Sequence, residues 1–161
     1  MKAHILILTA AVLGLGCSKE NERQSNLSAK PETLVESYDE QQMDKAISIA
    51  RNRVDEFIKA LAENDADSFS VKAPIHDGDQ TEHFWIVNVT YENETFSGRV
   101  GNDPGIVKNV KAGQAWIIKK DEISDWMYTK GDRIHGGFTI DPLLDSYPKE
   151  EADALRSKLV R

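Results

Sequence analysis

The chain has very little cysteine: Cys17 is the only one among 161 residues. The rest of the sequence therefore has no thiol for a disulfide, a thiolate zinc site or a cysteine nucleophile. Basic charge is also scarce, because 20 Lys and Arg residues against 27 Asp and Glu residues give a net charge of −7. Nucleic-acid binding requires a basic surface that neutralises phosphates, so we expect no nucleic-acid partner.

Three familiar catalytic or metal-binding motifs are also missing. The sequence has no His-Glu-x-x-His zinc motif, no calcium loop of the EF-hand pattern and no Gly-x-Ser-x-Gly nucleophile turn. We therefore expect no cofactor and no bound metal, and an enzymatic activity is not the leading hypothesis.

The first 16 residues have the layout of a signal peptide. Lys2 precedes an apolar run, Ile5 to Gly16, that is too short to cross a bilayer core of roughly 30 Å as a helix. The run ends in Leu-Gly-Leu-Gly before Cys17, which resembles a bacterial lipobox. The usual leucine three positions before the cysteine is replaced by Gly14. The resemblance implies that the cysteine becomes the first mature residue and carries lipid.

A lipid on Cys17 would hold the protein on a membrane without a transmembrane helix. Ser18 follows, whereas aspartate at this position is associated with inner-membrane retention, so the resemblance favours the outer membrane, with the domain facing the periplasm. An ordinary cleaved signal and an uncleaved anchor are the alternatives. Residues 17–41 are polar and charged, and we predict that they form a flexible tether.

One amphipathic helix is predicted from about residue 42 to 64. Apolar residues recur there at steps of three and four, which places them on one stripe. They are Met43, Ile47, Ala50, Val54, Phe57, Ile58 and Leu61. The stripe predicts a helix packed on the domain's own sheet; the alternative is a helix that binds a partner or a membrane surface.

Short strands with tight turns follow the helix. The alternating pattern predicts strands over 69–75, 84–91, 95–100, 115–119, 123–128 and 134–140. Pro74 favours an edge position for the first strand, and Pro104-Gly105 favours a type II turn. Gly136-Gly137 indicates a bulge, a bend or a close backbone approach.

The predicted class is α+β. No helical crossovers separate the strands, so we expect a bent antiparallel sheet of five to six strands, or a partly open barrel, with the long helix packed on it. This domain is expected over residues 42–145, and a short C-terminal helix over 146–161.

Four short segments carry a resemblance to a known family. They are Glu82-His83-Phe84-Trp85, then Gly98 with Asn102 and Pro104, then Ile123-Ser124-Asp125-Trp126-Met127, and Gly136-Gly137-Phe138-Thr139, after a helix with Ala46 and Phe57. In order and spacing they resemble the YegJ-like family, domain of unknown function 2314, over about residues 43 to 143. The resemblance implies a compact bacterial domain and implies no activity.

The polar residues suggest two kinds of chemistry. A metal site could draw on His76, Asp77, Asp79, Glu82 and His83, five potential ligands within eight residues. The Asp-Gly-Asp stretch is more simply a hairpin turn. A hydrolase could use Glu82 or Asp125 as the carboxylate and His83 or His135 as the base.

The leading hypothesis is a non-enzymatic binding module for an envelope protein or peptide. Aromatic anchors with a polar rim are typical of binding surfaces. The predicted surface consists of Glu82, His83, Trp85, Asn102, Asp125, Trp126, Gly136, Gly137 and Thr139. For Trp85 we favour a core position over a surface position, and for Trp126 both stay open. If the domain has a site, the ends of this stretch should meet there.

Overall fold

The structure is a computed structural model that describes residues 38–161 and the backbone of Ile5–Leu6. The predicted signal peptide, apart from that backbone, lies outside the described residues. So do the predicted lipidation site at Cys17 and the tether up to residue 37.

The described elements are a two-residue strand, two helices, six strands, two short helices and a final strand. In chain order they are β1 Ile5–Leu6, α1 Glu40–Asn52, α2 Val54–Glu63, β2 Ser68–Asp77, β3 Gln80–Glu92, β4 Thr95–Val100, β5 Ala115–Lys119, β6 Asp125–Lys130, β7 Arg133–Gly136, α3 Asp141–Leu144, α4 Lys149–Arg156 and β8 Leu159–Val160. The predicted α+β class is confirmed.

The strands form one open sheet in the order β5-β4-β3-β2-β6-β7-β8, and β1 pairs with β3. Neighbours from β2 to β7 are antiparallel, whereas β8 runs parallel to β7 and β1 parallel to β3. The pairing of β3 with β4 is irregular, because its register shifts between Val87 and Thr90, where Asn88 has a φ of 53°. An extra residue of this kind increases local twist and curvature. With β1 included, the sheet has eight strands, two more than the upper limit predicted. It is open among the described strands, since its two end strands, β5 and β8, do not pair with each other.

The predicted helix of residues 42–64 is divided into α1 and α2 at Arg53. The Asp39 carboxylate accepts hydrogen bonds from the N–H groups of Gln41 and Gln42 and caps the start of α1. At its end, α2 is closed by Asn64 in the left-handed conformation.

Two apolar clusters lie on the two faces of the sheet. Successive residues of a strand point to opposite faces, so Phe84 and Trp85 belong to different clusters. The larger cluster surrounds Phe57 of α2, whose ring contacts three other rings in the core. The smaller cluster joins Trp85 to Leu143 of α3 and to Ala152 of α4. Helix α1 contributes to both clusters.

Three local predictions need correction. Strand β2 is central rather than at an edge, because it pairs with both β3 and β6; Pro74 is tolerated because the pairing with β6 ends at Lys72. The type II turn at residues 102–105 would need a positive φ at Gly105, and Gly105 is not among the glycines with positive φ. The terminal helix is shorter than predicted, and strand β8 follows it.

Candidate functional site

Glu82 holds a loop against the sheet. Its side chain is fully buried, and its two carboxylate oxygens accept hydrogen bonds from the backbone N–H groups of Gly105, Ile106 and Val107 at 2.9, 2.9 and 3.2 Å. Asp77 adds a fourth contact by accepting from Lys108 N at 2.8 Å. The loop after β4 is therefore fixed by carboxylates of the β2–β3 hairpin, and both Glu82 oxygens are engaged.

The predicted metal ligands point to separate partners. The Nδ1 atom of His76 lies 2.8 Å from Thr81 Oγ1, and that of His83 lies 2.9 Å from Ser124 Oγ. Asp79 is exposed in the turn between β2 and β3. Within residues 38–161, no group of three or more His, Asp or Glu side chains converges as a metal-binding set would.

The contact between His83 and Ser124 does not resemble an activated nucleophile. Ser124 is 2% exposed, and its hydroxyl donates to Lys72 O at 3.2 Å. Because the hydroxyl proton is used in that bond, the serine oxygen is an acceptor towards His83 Nδ1. The histidine and serine therefore join β3 to the turn before β6.

Asp125 organises the turn that follows β7. It accepts hydrogen bonds from Trp126 N, Phe138 N and Thr139 N and from the Thr139 hydroxyl, at 2.8, 3.1, 2.8 and 2.7 Å. The side chain is fully buried. Its four donors belong to β6 and to the turn, so one carboxylate fixes the direction in which the chain leaves the sheet.

Lys72 completes a buried polar relay. Its Nζ donates to Thr139 Oγ1 at 3.2 Å, and the same hydroxyl donates to Asp125 Oδ2 at 2.7 Å. The ammonium also lies 5.4 Å from the centre of the Trp85 ring, within the range of a cation–π contact. Lys72, Thr139 and Asp125 thus form a chain of hydrogen bonds between β2, the turn and β6.

Burial changes the ionisation of both charged ends of this relay. Burial lowers the pKa of Lys72 to about 8, and the nearby Asp125 opposes this change. Burial raises the pKa of Asp125, against its hydrogen bonds from Thr139 and Trp126 and the charge of Lys72. Both shifts have the same physical origin, since a charge loses its hydration when it is enclosed.

Trp126 is a core residue that joins α1 to the sheet. It is 2% exposed, and its indole N–H donates to Ala50 O at 2.8 Å. In an unbroken helix that carbonyl would accept from the N–H four residues later, at Val54. Where the helix divides at Arg53, this carbonyl instead accepts from the indole and, at 3.3 Å, from Arg53 N.

Two buried polar atoms have no hydrogen-bond partner among the described residues. They are Trp85 Nε1 and Asn102 Oδ1. Trp85 is 2% exposed and Asn102 is 5% exposed, so neither presents its side chain to solvent. The backbone links their neighbourhoods, because Gly101 N donates to Trp85 O at 2.8 Å.

Gly136 and Gly137 lie where the backbone approaches Trp126. Both have positive φ, 80° and 65°, and Gly137 N donates to Trp126 O at 2.8 Å. A Cβ at Gly136 would lie 2.3 Å from Trp126 O and 2.5 Å from the indole ring. The predicted close backbone approach at this glycine pair is confirmed.

The candidates for a hydrolase site do not share partners. His135 stacks on Tyr128 with ring centres 4.5 Å apart, and its pKa is lowered by burial and by Arg133 and Lys130. Glu82, Asp125 and His83 have the separate partners given above. The structure therefore brings Asp125, Trp126, Gly136, Gly137 and Thr139 together. It places His83 against Ser124, next to Asp125 in the chain, and Glu82 against the loop after β4.

An open groove of about 720 Å³ lies between α1 and the C-terminal part of the chain. We call it the α1 groove. It is lined by Gln42, Lys45, Ala46, Ile49, Arg53, Phe138, Asp141, Pro142, Asp145, Arg156 and Arg161.

Charged side chains in the α1 groove are arranged around one aromatic ring. The guanidinium carbons of Arg53 and Arg161 lie 5.2 and 5.5 Å from the centre of the Phe138 ring. Arg156 pairs with Asp141 and with Asp145 at 3.0 and 2.6 Å. The groove thus combines an aromatic floor with cations and carboxylates on its walls.

Sequence reasoning identified neither the α1 groove nor Lys72. The groove residues are distant in sequence and mostly charged, which is the pattern of an ordinary helix surface. Lys72 did carry a signal, because it is a lone charged residue between the apolar residues Val71 and Ala73 of a strand. The alternation of residues 69–75 places Lys72 on the polar face of the strand, together with Ser70 and Pro74, and such a face normally meets solvent.

The fold defines the class of this protein as an α+β domain with a buried polar relay, and the comparisons place that domain in bacteria. The chain belongs to the family described as "Uncharacterized protein conserved in bacteria (DUF2314)", whose model matches residues 40–159. The resemblance to this family expected from the sequence is confirmed.

Two relatives extend the comparison. The chain is 59% identical over 138 residues to the "Uncharacterized protein YegJ" of Escherichia coli strain K12. The aligned region is 85% of this chain and 90% of that protein. The chain is also 34% identical over 85 residues to the "Putative ankyrin repeat protein NMB1133/NMB1171" of Neisseria meningitidis serogroup B. Here the aligned region is 50% of this chain and 34% of that protein. No solved structure matches the chain.

Among the described residues, 38–161, no helix is both long enough and apolar enough to span a bilayer.

Proposed function

We propose that this domain is a non-enzymatic binding module for a protein or peptide partner. The observation that carries the proposal is the α1 groove, with the exposed Lys45 and the half-buried Ile49 on one wall and Asp141 and Asp145 on the other. Its Phe138 floor supplies the aromatic anchor, and the charged walls supply the polar rim.

The alternative, a hydrolase or a metal-dependent enzyme, has less support. Catalysis by a carboxylate requires an oxygen that can reach the substrate or a metal-bound water. Glu82 and Asp125 are both fully buried, and their oxygens accept hydrogen bonds from the protein itself. These carboxylates do structural work, which leaves the surface of the domain as the place for function.

We also propose that the domain is displayed in the cell envelope, on a lipid at Cys17, facing the periplasm and on the outer membrane rather than the inner one. The lipobox-like sequence before Cys17 and the serine after it support this location. About 23 residues separate Cys17 from Glu40, and an extended chain of that length spans up to about 80 Å. Such a tether would let the groove reach partners beyond the membrane surface.

Capture from envelope extract tests the binding proposal. The wild-type domain serves as bait beside Lys45→Glu, which reverses a charge on the groove wall, and Lys111→Glu, which makes the same charge change in an exposed turn remote from the groove in sequence. We expect a defined partner to be retained by wild type and Lys111→Glu and to be reduced at least tenfold with Lys45→Glu. Equal capture by all three proteins would contradict a role for the groove.

A further inference from the structure

The free side of β7 is filled by a very short strand of the same chain. β8 pairs with it in parallel through only two positions, Ile134 with Leu159 and His135 with Val160. Ile134 N donates to Lys158 O at 2.9 Å. By comparison, β2 and β3 pair over eight positions. The edge of β7 therefore accepts an extended segment through a minimal set of backbone contacts.

The residue after this strand occupies one end of the α1 groove. Arg161 Nη1 donates to Gly136 O at 2.7 Å, and Nη2 lies 3.7 Å from Asp141 Oδ2. The guanidinium carbon lies 5.5 Å from the centre of the Phe138 ring. A carbonyl, a carboxylate and an aromatic face together recognise a guanidinium, which is planar, charged and able to donate several hydrogen bonds.

Three specific contacts hold the Arg161 guanidinium, although its side chain is only partly enclosed. Its side chain is 35% exposed, and burial lowers its pKa, against the charge of Asp141. Leu159, two residues earlier, packs against the apolar cluster around Trp85. The segment of residues 158–161 thus presents an apolar side chain and an arginine to separate places, joined by backbone pairing to β7.

These contacts can be reproduced by another chain. Addition of a strand to a sheet edge uses backbone groups that every extended peptide has, while side-chain pockets select the sequence. The pockets here accept a leucine and, two residues later, an arginine. A segment that makes few backbone contacts is replaced more readily than a long strand, because fewer hydrogen bonds must be exchanged.

We propose that the β7 edge and the arginine seat at Phe138 and Asp141 form a peptide-binding site, which residues 158–161 fill as a built-in ligand. The partner is an extended segment with an aliphatic residue two positions before an arginine, and it displaces residues 158–161 when it binds. This inference rests on the proposed binding function and names the ligand class for it.

The test measures binding of a capped Lys-Leu-Val-Arg peptide by titration calorimetry. The proteins are the full chain and a variant of it that ends at Ser157, with circular dichroism as the check of folding. We expect the shortened variant to bind one peptide per chain at least tenfold more tightly than the full domain, because the site is then vacant. A peptide with alanine in place of arginine should bind at least tenfold more weakly.

Two further variants keep the test decisive. Arg161→Ala in the full domain empties the arginine seat while it retains β8, so it should bind the peptide more tightly than wild type even if the shortened variant does not fold. Asp141→Asn, made in the Arg161→Ala background, removes a seat carboxylate and should weaken the binding at least fivefold. Asp153→Asn in that background is the matched control, because Asp153 pairs with Lys149 outside the groove.

Peptide that fails to saturate any folded variant, or binds equally well with alanine in place of arginine, overturns the inference. The binding module proposed above is tested separately by the effect of Lys45→Glu on capture from extract. Loss of capture with no peptide binding would leave the binding module standing and refute the built-in ligand. Peptide binding as described would support the inference whatever the extract contains.

Discussion

Replacement of Lys72 by methionine tests the buried relay through its dependence on pH. The pKa of Lys72 is about 8 in the folded protein, because burial disfavours the ammonium, and its ordinary value is 10.5. Between these values the unfolded chain binds more protons than the folded one, so stability must rise with pH. Methionine has a similar shape and does not titrate, and the rise should therefore disappear in Lys72→Met.

The magnitude follows from the two pKa values. With 8 in the folded state and 10.5 in the unfolded state, linkage predicts that the free energy of unfolding rises by about 2.5 kcal/mol between pH 7 and pH 10 on account of Lys72 alone. The quantity to measure is the difference between wild type and Lys72→Met at each pH. Titrating groups that are remote from Lys72 occur in both proteins and largely cancel. Asp125 is the exception, because in Lys72→Met its pKa is no longer lowered by the Lys72 charge.

Urea unfolding, followed by circular dichroism at pH 7, 8, 9 and 10, supplies this difference. Lys111→Met is the control, since Lys111 is exposed and should give a curve parallel to wild type at every pH. We expect the stability advantage of Lys72→Met over wild type at pH 7 to shrink, or its deficit to grow, as the pH rises. If the difference in unfolding free energy between wild type and Lys72→Met stays constant within about 0.5 kcal/mol over this pH range, burial does not lower the pKa of Lys72 as described.

Three other changes have definite expected outcomes. Cys17→Ser should move the protein from the membrane fraction to the soluble fraction on immunoblots, and unchanged membrane retention would defeat the lipid anchor. Gly136→Ala should lower the free energy of unfolding by more than about 2 kcal/mol, because its Cβ would overlap Trp126 O. Gly131→Ala is the control, since Gly131 also has positive φ but lies in open space, and it should lower that free energy by about 1 kcal/mol. Equal losses in the two variants would contradict the close approach at Gly136. Glu82→Gln should lower the free energy of unfolding by about 2 kcal/mol and speed the hydrogen exchange of the backbone amides of residues 105–107. If these amides stay as protected in the variant as in wild type, Glu82 does not anchor the loop.

Strands β2 to β6 could be predicted from the sequence because their signals are local. Alternation of apolar and polar residues marks β3, and short turns at Gly78 and Gly131, both with positive φ, mark reversals of the chain. The division between α1 and α2 has a long-range contributor, the bond from Trp126 to Ala50 O. No pattern in residues 42–64 alone reports a hydrogen bond made 76 residues further along the chain.

The position of the polar residues was harder to predict, since a polar residue in a strand has two physical uses. It can face a ligand, or it can satisfy backbone groups that folding has buried. Asp125 and Glu82 both satisfy buried backbone N–H groups. Apart from the N–H of Trp126, these groups lie 13 to 25 residues further along the chain than the carboxylate. The burial of Lys72 could not be predicted for a similar reason, because its hydrogen-bond partner Thr139 lies 67 residues later in the chain.

The internal position of Trp126 determines which variants can report on function. Removal of its side chain would empty a packed site in contact with Phe57 and Phe138. It would also remove one of the two donors to the Ala50 carbonyl at the division between α1 and α2. A large-to-small change of this kind typically costs about 3–5 kcal/mol, so lost binding in Trp126→Ala would have two explanations. Lys45→Glu changes an exposed residue and leaves the core intact. A loss of binding in that variant therefore reports on the groove, and the core residues are better used as probes of stability.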